Sequence, residues 1–426
     1  MNLNSIKQNT LVLIIYSFLF VNGIIYILDK QLGYFDMLHS AMLRNISSTY
    51  DESTPVYSNH SDSVVILISN KTFEKEFNSK TPLNKDKLGI LVQNILDKNP
   101  KSLIFDLDIS PDYNFENKKQ IQTNLYNILM NNSDNVKIFL PFAFIADTQE
   151  NKTLKLTWAK QMCENNIKFA FPFITDEIGS VLQYYQDPNH ISLFTHSLQE
   201  GSSNLGVCNK ITGTDIKDLK DINQYYFEEH HTFKQLPVNY QTINKNTIMI
   251  DNFKDLDKYN LTNKVVFLGG SYGFGDKYIT PYGEKYGVEI LNAIYYSLKH
   301  KIDEADALTT LIITDVIIGL LFGVIISYLI KQRKKISTQS KLALNNFSLI
   351  TVAAVFLFIS LIVSSYIFHN LYLWLNPVPL IIGMFIDSIT GLGEEEVEDK
   401  GNYINLVYVI KASLVFIGGY SFIDSI

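Results

Sequence analysis

Cysteine is almost missing from the chain: its 426 residues include two, Cys163 and Cys208. That excludes a zinc site built on paired cysteines and a small domain stapled by several disulfides. Two possibilities stay open for the pair, a disulfide if both lie outside the cytoplasm or two buried thiols. Charge is also scarce, at 19% of residues, where about 25% is usual for a soluble protein. Basic excess is absent: the net charge is -7, which excludes a general nucleic-acid binder. Signatures of catalysis are lacking too. Glu228-Glu-His-His231 does not have the H-E-x-x-H spacing of a helical zinc site, and Gly270-Ser-Tyr-Gly273 does not fit the G-x-G-x-x-G nucleotide fingerprint. We therefore expect no enzyme activity, no metal and no cofactor.

The missing charge is concentrated near the two ends. Residues 10–28 are nineteen in a row with Asn22 as the one strongly polar side chain, enough to cross a bilayer core of about 30 Å. A cleaved signal peptide has a shorter apolar core, about 7–15 residues, ending in small residues. This one ends Ile-Tyr-Ile-Leu-Asp and reads as an uncleaved anchor. Residues 307–330 form a second apolar segment, followed at once by Lys331-Gln-Arg-Lys-Lys335. The positive-inside rule keeps that cluster in the cytoplasm and puts the preceding domain outside. It is also suited to contact anionic lipid. Residues 347–367 are a third span and 371–386 a fourth, interrupted by Asn376, Pro377 and Pro379. An acidic stretch, 391–402, then falls in the cytoplasm. Residues 403–423 are long enough to cross again, but Lys411 sits near their middle, at about 2.5–3.5 kcal/mol on an insertion scale. They are either a fifth span or a helix on the inner surface or against a partner. Asp315 is the acid deep in an apolar stretch, which makes Asp315 and Lys411 a candidate intramembrane pair. Gly319-Leu-Leu-Phe-Gly323 lets helices approach closely. Packing within the chain explains it as well as a homodimer does. The resulting order is an anchor (1–28), an extracytoplasmic domain (29–306), three transmembrane helices (307–390) and an acidic loop with a last apolar helix (391–426).

Within 29–306 β-branched runs alternate with helical patterns. Strands are expected at 64–69, 102–109, 136–144, 168–174, 247–251 and 264–268, and helices at 84–97, 118–130 and from Gly287 onward. That alternation implies an α/β domain with a mixed, partly parallel sheet. Residues 176–246 are poorly patterned and leave room for a further hairpin and long loops.

The chemistry-bearing residues gather around 264–297. An uninterrupted apolar strand leads into Gly269, Gly270, Gly273, Gly275, Pro281 and Gly283, a run that reads as a tight loop. Asp276 lies in its middle, as a ligand contact or as an aspartate tying the loop to itself. About a dozen residues separate the glycines from the next helix, so no helix N-terminus is expected to face a phosphate there. Glu289 falls in that helix's first turn, where a carboxylate complements the dipole, and Asn292 shares its face. Asp106 and Asp108 alternate along an expected strand and would share a face at its carboxyl end, where open α/β sheets hold ligands.

These residues carry a resemblance. The chain resembles the second type of CHASE domain, the extracellular sensory domain associated with bacterial cyclases and histidine kinases. The match is Gly269 after an apolar strand, Gly275-Asp276, Thr280-Pro281 and Gly287-Val288-Glu289-Ile290. Weaker likenesses are Val64 to Ile68, Pro82 to Lys85, Ser102 to Asp106, Asn204 to Val207 and Leu371 to Pro379. Pro82-Leu-Asn-Lys85 lacks the family's aromatic and arginine, and Thr214-Asp215-Ile-Lys217 keeps a trace of the Asp-x-Asp-Gly segment. The resemblance implies an N-terminal anchor, an external α/β domain and three membrane helices before an output module. Here no catalytic domain follows, so the output is expected from a separate protein partner. Asp106, Asp108, Ser271, Asp276, Thr280, Glu289 and Asn292 are the candidate ligand residues. The expected function is a sensor in the bacterial cell membrane responding to an unknown extracytoplasmic ligand; the alternative is a structural or docking subunit of an envelope complex.

Overall fold

The computed structural model describes residues 61–111, 124–142, 148–174, 183–185, 206–212, 235–240, 246–273, 276–300 and 339–371, with isolated residues elsewhere. The chain divides into two units, Ser47–His300, and Met1–Ile46 together with Lys301–Ile426.

The unit Ser47–His300 is built on a six-stranded sheet. In chain order the described elements are β1 (Ser63–Ile68), α1 (Asn70–Phe77), α2 (Lys85–Leu96), β2 (Ser102–Phe105), α3 (Asn124–Asn132), β3 (Lys137–Pro141), α4 (Gln149–Glu164) and β4 (Lys168–Ala170). They continue with β5 (Gln183–Tyr185), α5 (Gly206–Thr212), β6 (Gln235–Pro237), β7 (Thr247–Ile250), a 3-10 turn (Phe253–Lys258), β8 (Val265–Gly270), β9 (Lys277–Thr280), β10 (Gly283–Tyr286) and α6 (Gly287–Lys299). The strand order is β4-β3-β2-β8-β1-β7. Every pairing in this sheet is parallel. The expected mixed character is confined to two separate antiparallel pairs, β9 with β10 and β5 with β6.

The strand order dictates where the helices go. The connections β1 to β2, β2 to β3, β3 to β4 and β7 to β8 all step in the same direction across the sheet. Parallel crossovers are right-handed, so connections stepping one way lie on one face. Accordingly Leu88, Leu91, Leu125, Trp158 and Leu256 share a core with Val64, Ile66, Ile68, Leu103, Ile138 and Leu268. The connection from β4 to β7 steps the other way, and its described residues share the opposite face with α6: Val288, Leu291 and Tyr295 pack on Val65, Leu67, Ile104 and Phe267 beside Ile191, while Ile290, Ile294 and Leu298 meet Val181, Val238 and Tyr240. β1 and β8 have their apolar residues buried on both faces, which is why they read as unbroken apolar runs rather than alternating ones.

Cys163, near the end of α4, forms a disulfide with Cys208 of α5, with their Cα atoms 5.5 Å apart. The bond closes a 45-residue separation, worth about 4 kcal/mol on the chain-entropy estimate. It ties the α4 and α5 ends beside β4, where the Cys208 sulfur lies 3.4 Å from the Ile167 carbonyl oxygen.

In the other unit, α7 (Gln339–Leu371) runs for 33 residues and contains the expected span 347–367. Among the described residues no helix is long and apolar enough to cross a membrane. Val355, Phe358, Ile362 and Tyr366 are exposed. The expected segment 10–28, the basic cluster 331–335, the glycine pair 319 and 323, Asp315, Lys411, Glu228 to His231 and everything after Leu371 lie outside the described residues.

Candidate functional site

β8 and β2 are neighbours, and the site forms where both end. β8 closes on two glycines. A Cβ on Gly269 would lie 2.6 Å from the Val288 side chain, and one on Gly270 would lie 2.4 Å from the Tyr272 ring. Their absence lets α6 and Tyr272 press onto the strand end. Tyr272 then stacks on Phe73 of α1 at 4.2 Å, and the Gly273 N–H donates to the Asn70 side chain.

Instead of a loop, residues 277–286 form the β9–β10 hairpin. Thr280 Oγ donates to the Gly283 carbonyl at 2.8 Å and accepts from the Tyr282 N–H at 3.1 Å. Gly283 takes the left-handed conformation that the turn requires, with φ 85°. The hairpin returns the chain to its starting point, so residues 276 and 287 touch: the Gly287 N–H donates to the Asp276 backbone carbonyl at 3.0 Å. The dozen residues between glycines and helix are therefore no separation in space, and the first residue of α6 does face the loop. A Cβ at Gly287 would sit 2.5 and 2.7 Å from the two carboxyl oxygens of Asp276. Any larger residue there would push that carboxyl aside. Asp276 itself is left-handed, φ 64°, a conformation aspartate tolerates and most residues avoid.

Asp106 is the residue after β2, and its N–H donates to the Leu268 carbonyl of β8 at 2.9 Å. This fixes it beside the end of β8, and its carboxyl is hydrogen-bonded to that of Asp276. Burial, and then the charge of Asp276, push the Asp106 carboxyl well above the usual carboxylate range. Burial raises Asp276 too, opposed by hydrogen bonds from Tyr278, Asp106 and the Gly287 N–H. Asp276 is exposed as a whole residue, but the end of its side chain is turned inward onto Gly287 and Asp106. Two carboxyls in hydrogen-bond contact hold a proton between them, because both ionised would repel. Folded protein therefore binds more proton than the unfolded chain above pH 3.8, and this pair's contribution to stability is lost as pH rises through its raised titration range.

The CHASE2 domain matches residues 11–329. The chain belongs to the CHASE2 family. Searches of curated proteins and of solved structures found no match. CHASE2 is an extracellular sensory domain family, and the match covers the whole unit that holds the carboxyl pair.

Within this CHASE2 domain the candidate residues separate. Asp106 and Asp276 come together. Asp108 does not join them: β2 stops at Phe105, so 106 and 108 are not alternate positions of a strand. Asp108 is exposed and accepts from the Ser110 N–H at 2.8 Å. Ser271 is spent inside the sheet, its N–H and hydroxyl both donating to the Ile68 carbonyl. Thr280 closes the hairpin. Glu289 is buried and accepts from the Tyr286 N–H at 2.9 Å and the Thr247 hydroxyl at 3.2 Å, a capping role that orients α6. Asn292 is wholly buried, and neither end of its amide has a partner among the described residues. Gly287 and Tyr278, which seat Asp276, were not singled out from the sequence as site residues. The signal for Gly287 was there, a glycine opening an apolar helix, but its reason was the carboxyl above it. No group of metal-ligating side chains occurs among the described residues.

Proposed function

We propose that this CHASE2 protein is a membrane-anchored extracytoplasmic sensor. Its external domain responds at the Asp106–Asp276–α6 junction, and α6 passes the change into the segment that begins at Lys301 and on to a separate cytoplasmic partner. The observation that carries this reading is the convergence of two distant acids on the first turn of one helix, the helix after which the domain ends. A site at the carboxyl ends of parallel strands is where open α/β sheets bind ligands. A signal requires a ligand that favours one helix arrangement over another, and a junction between loop, strand and helix start is where such a preference would act. The Cys163–Cys208 disulfide supports an oxidising, extracytoplasmic setting. The apolar segments at 10–28, 307–330 and 347–367 supply the membrane anchoring, and the basic cluster 331–335 its direction.

Two measurements test this. A cysteine introduced at Lys152 on α4 should react with a membrane-impermeant maleimide in intact cells, and one introduced at Lys335 only after permeabilisation; the reverse pattern ends the extracytoplasmic reading. Crosslinking from Lys335 in native membranes should then give a cytoplasmic partner whose yield changes in Asp276→Ala. A stoichiometric partner indifferent to that substitution would identify a docking subunit instead.

A further inference from the structure

α6 is docked over buried polar groups that its packing leaves unsatisfied. On its underside Asn292 is completely buried with both amide atoms unpartnered among the described residues. Ser63 and Ser102 are also buried with unpartnered hydroxyls. Both pair in register with Val265 of β8, which lies between their strands. By strand alternation they point to the face of Val65, Ile104 and Val265, the face that α6 covers. A buried polar group without a partner costs about 1–3 kcal/mol, so the α6 interface is weaker than its apolar area suggests. A small displacement that gives these groups partners or water is favoured at this helix. At the other extreme, the first residue of α6 is clamped: Gly287 is bonded to Asp276 and roofed by its carboxyl, and that carboxyl is bonded to Asp106.

We propose that the Asp106–Asp276 pair is a proton-operated latch on the first turn of α6. With one proton shared, the two carboxyls hold the end of β2, the loop after β8 and the helix start together. When the proton leaves to solvent, two adjacent carboxylates repel. The loop carrying Asp276 then moves off Asp106, and the helix start, seated under Asp276, is freed with it. The inference rests on the sensory reading for the meaning of the signal, and names acidity of the extracytoplasmic medium as an input.

The groups around the pair leave the proton to it. Tyr278 donates to Asp276, and Lys285 stands opposite Tyr278 in the hairpin. Lys277 is tied to Glu284 and lies over the Tyr286 ring. Lys85 is bonded to the Ser110 carbonyl, Asp108 to the Ser110 N–H, and Glu289 to Tyr286 and Thr247. Tyr126, bonded to the Ile109 carbonyl, and Tyr272 are both raised by burial and stay neutral throughout.

The test is amide hydrogen exchange on the full chain in detergent micelles between pH 5 and pH 8, corrected for intrinsic chemistry. Protection of residues 288–293 should fall about tenfold for each pH unit through the titration of the pair, as expected when opening requires loss of one proton, and should stay below that of β1, which exchanges only on global unfolding. Asp106→Asn, which keeps a donor and removes the charge, should hold high protection at every pH. Gly287→Ala, which drives a Cβ into the carboxyl, should lower it at every pH. A flat wild-type titration, or a wild-type slope retained in Asp106→Asn, overturns the latch. Protection of β1 reports whether each variant folds; if Asp106→Asn does not, the wild-type titration and Asp276→Asn decide. No ligand or partner is used, so a flat titration removes the latch alone, whereas an inward-facing domain in the labelling experiment removes the sensory reading alone.

Discussion

At its first residue α6 meets two carboxyls sharing a proton; at its last it meets Lys299 bonded to Asp62, beside His300. Both ends use an aspartate near a strand terminus, yet the environments drive them apart. Asp106 is half-buried with no cation acting on it, so burial dominates and its carboxyl is raised. Asp62 lies at the surface, where the Lys299 hydrogen bond outweighs burial and lowers it. His300 is lowered by burial and by Lys299, and its ring lies 4.2 Å from that of Tyr296. Between the ends, Val288, Ile290, Leu291, Ile294, Tyr295 and Leu298 are buried, each worth about 1.5–3 kcal/mol. The middle decides whether α6 docks. The ends decide how docking depends on pH.

The largest effect should therefore come from the middle. Leu291→Ala is expected to cost about 2–5 kcal/mol by denaturant unfolding of the full chain. A loss below about 1 kcal/mol would mean the ends hold the helix, and the comparison would be inverted. Gly287→Ala comes next, at about 1–3 kcal/mol for overpacking, because the new Cβ would displace the hydrogen-bonded Asp276 carboxyl.

The ends should then show opposite pH slopes. For the carboxyl pair the folded state holds extra proton, so stability falls as pH rises from 3.8 through its raised range, by at most about 1.4 kcal/mol per pH unit for one proton. For His300 the folded state holds less, so stability rises with pH up to 6.5. The two limbs overlap and partly cancel in the wild type. Asp106→Asn should leave the rising limb and stabilise the protein at neutral pH, and His300→Ala should leave the falling limb. Unfolding curves at half-unit pH steps separate them, and a pH profile unchanged in either variant would remove that end from the account.

How far this was legible in the sequence depends on what fixes each feature. β1, β8 and the start of α6 at Gly287 were readable, because unbroken apolar runs and a helical stripe are local. Asp106 and Asp276 were each singled out, but not as a pair. Their meeting depends on β8 inserting between β1 and β2, and strand order leaves no mark on periodicity. The end of β2 at Phe105 was misjudged because Leu107 and Ile109 continue the alternation as buried or half-buried side chains outside the strand. The β9–β10 hairpin read as a loop because its residues are largely solvent-facing, and without a buried face the strand pattern is weak. The cysteines could not be paired by counting; α4 and α5 had to be brought together beside β4 first.

The smallest effect belongs to the Lys299–Asp62 contact, and it separates a clamp from a decoration. Asp62 is 62% exposed and Lys299 27%, so solvent screens the pair and its lowered carboxyl converts to little stability. A double-mutant cycle with Lys299→Ala and Asp62→Ala should give a coupling of about 0.2–1 kcal/mol, shrinking as salt rises. Its stability is present above pH 3.8 and lost as pH falls through the lowered range of Asp62, where the pair at the other end is fully protonated and tight. In strong acid α6 should thus loosen from its C-terminal end first, and in base from its N-terminal end. A coupling above about 2 kcal/mol, insensitive to salt, would make the C-terminal end a buried clamp and leave α6 no freedom to pass a change toward Lys301.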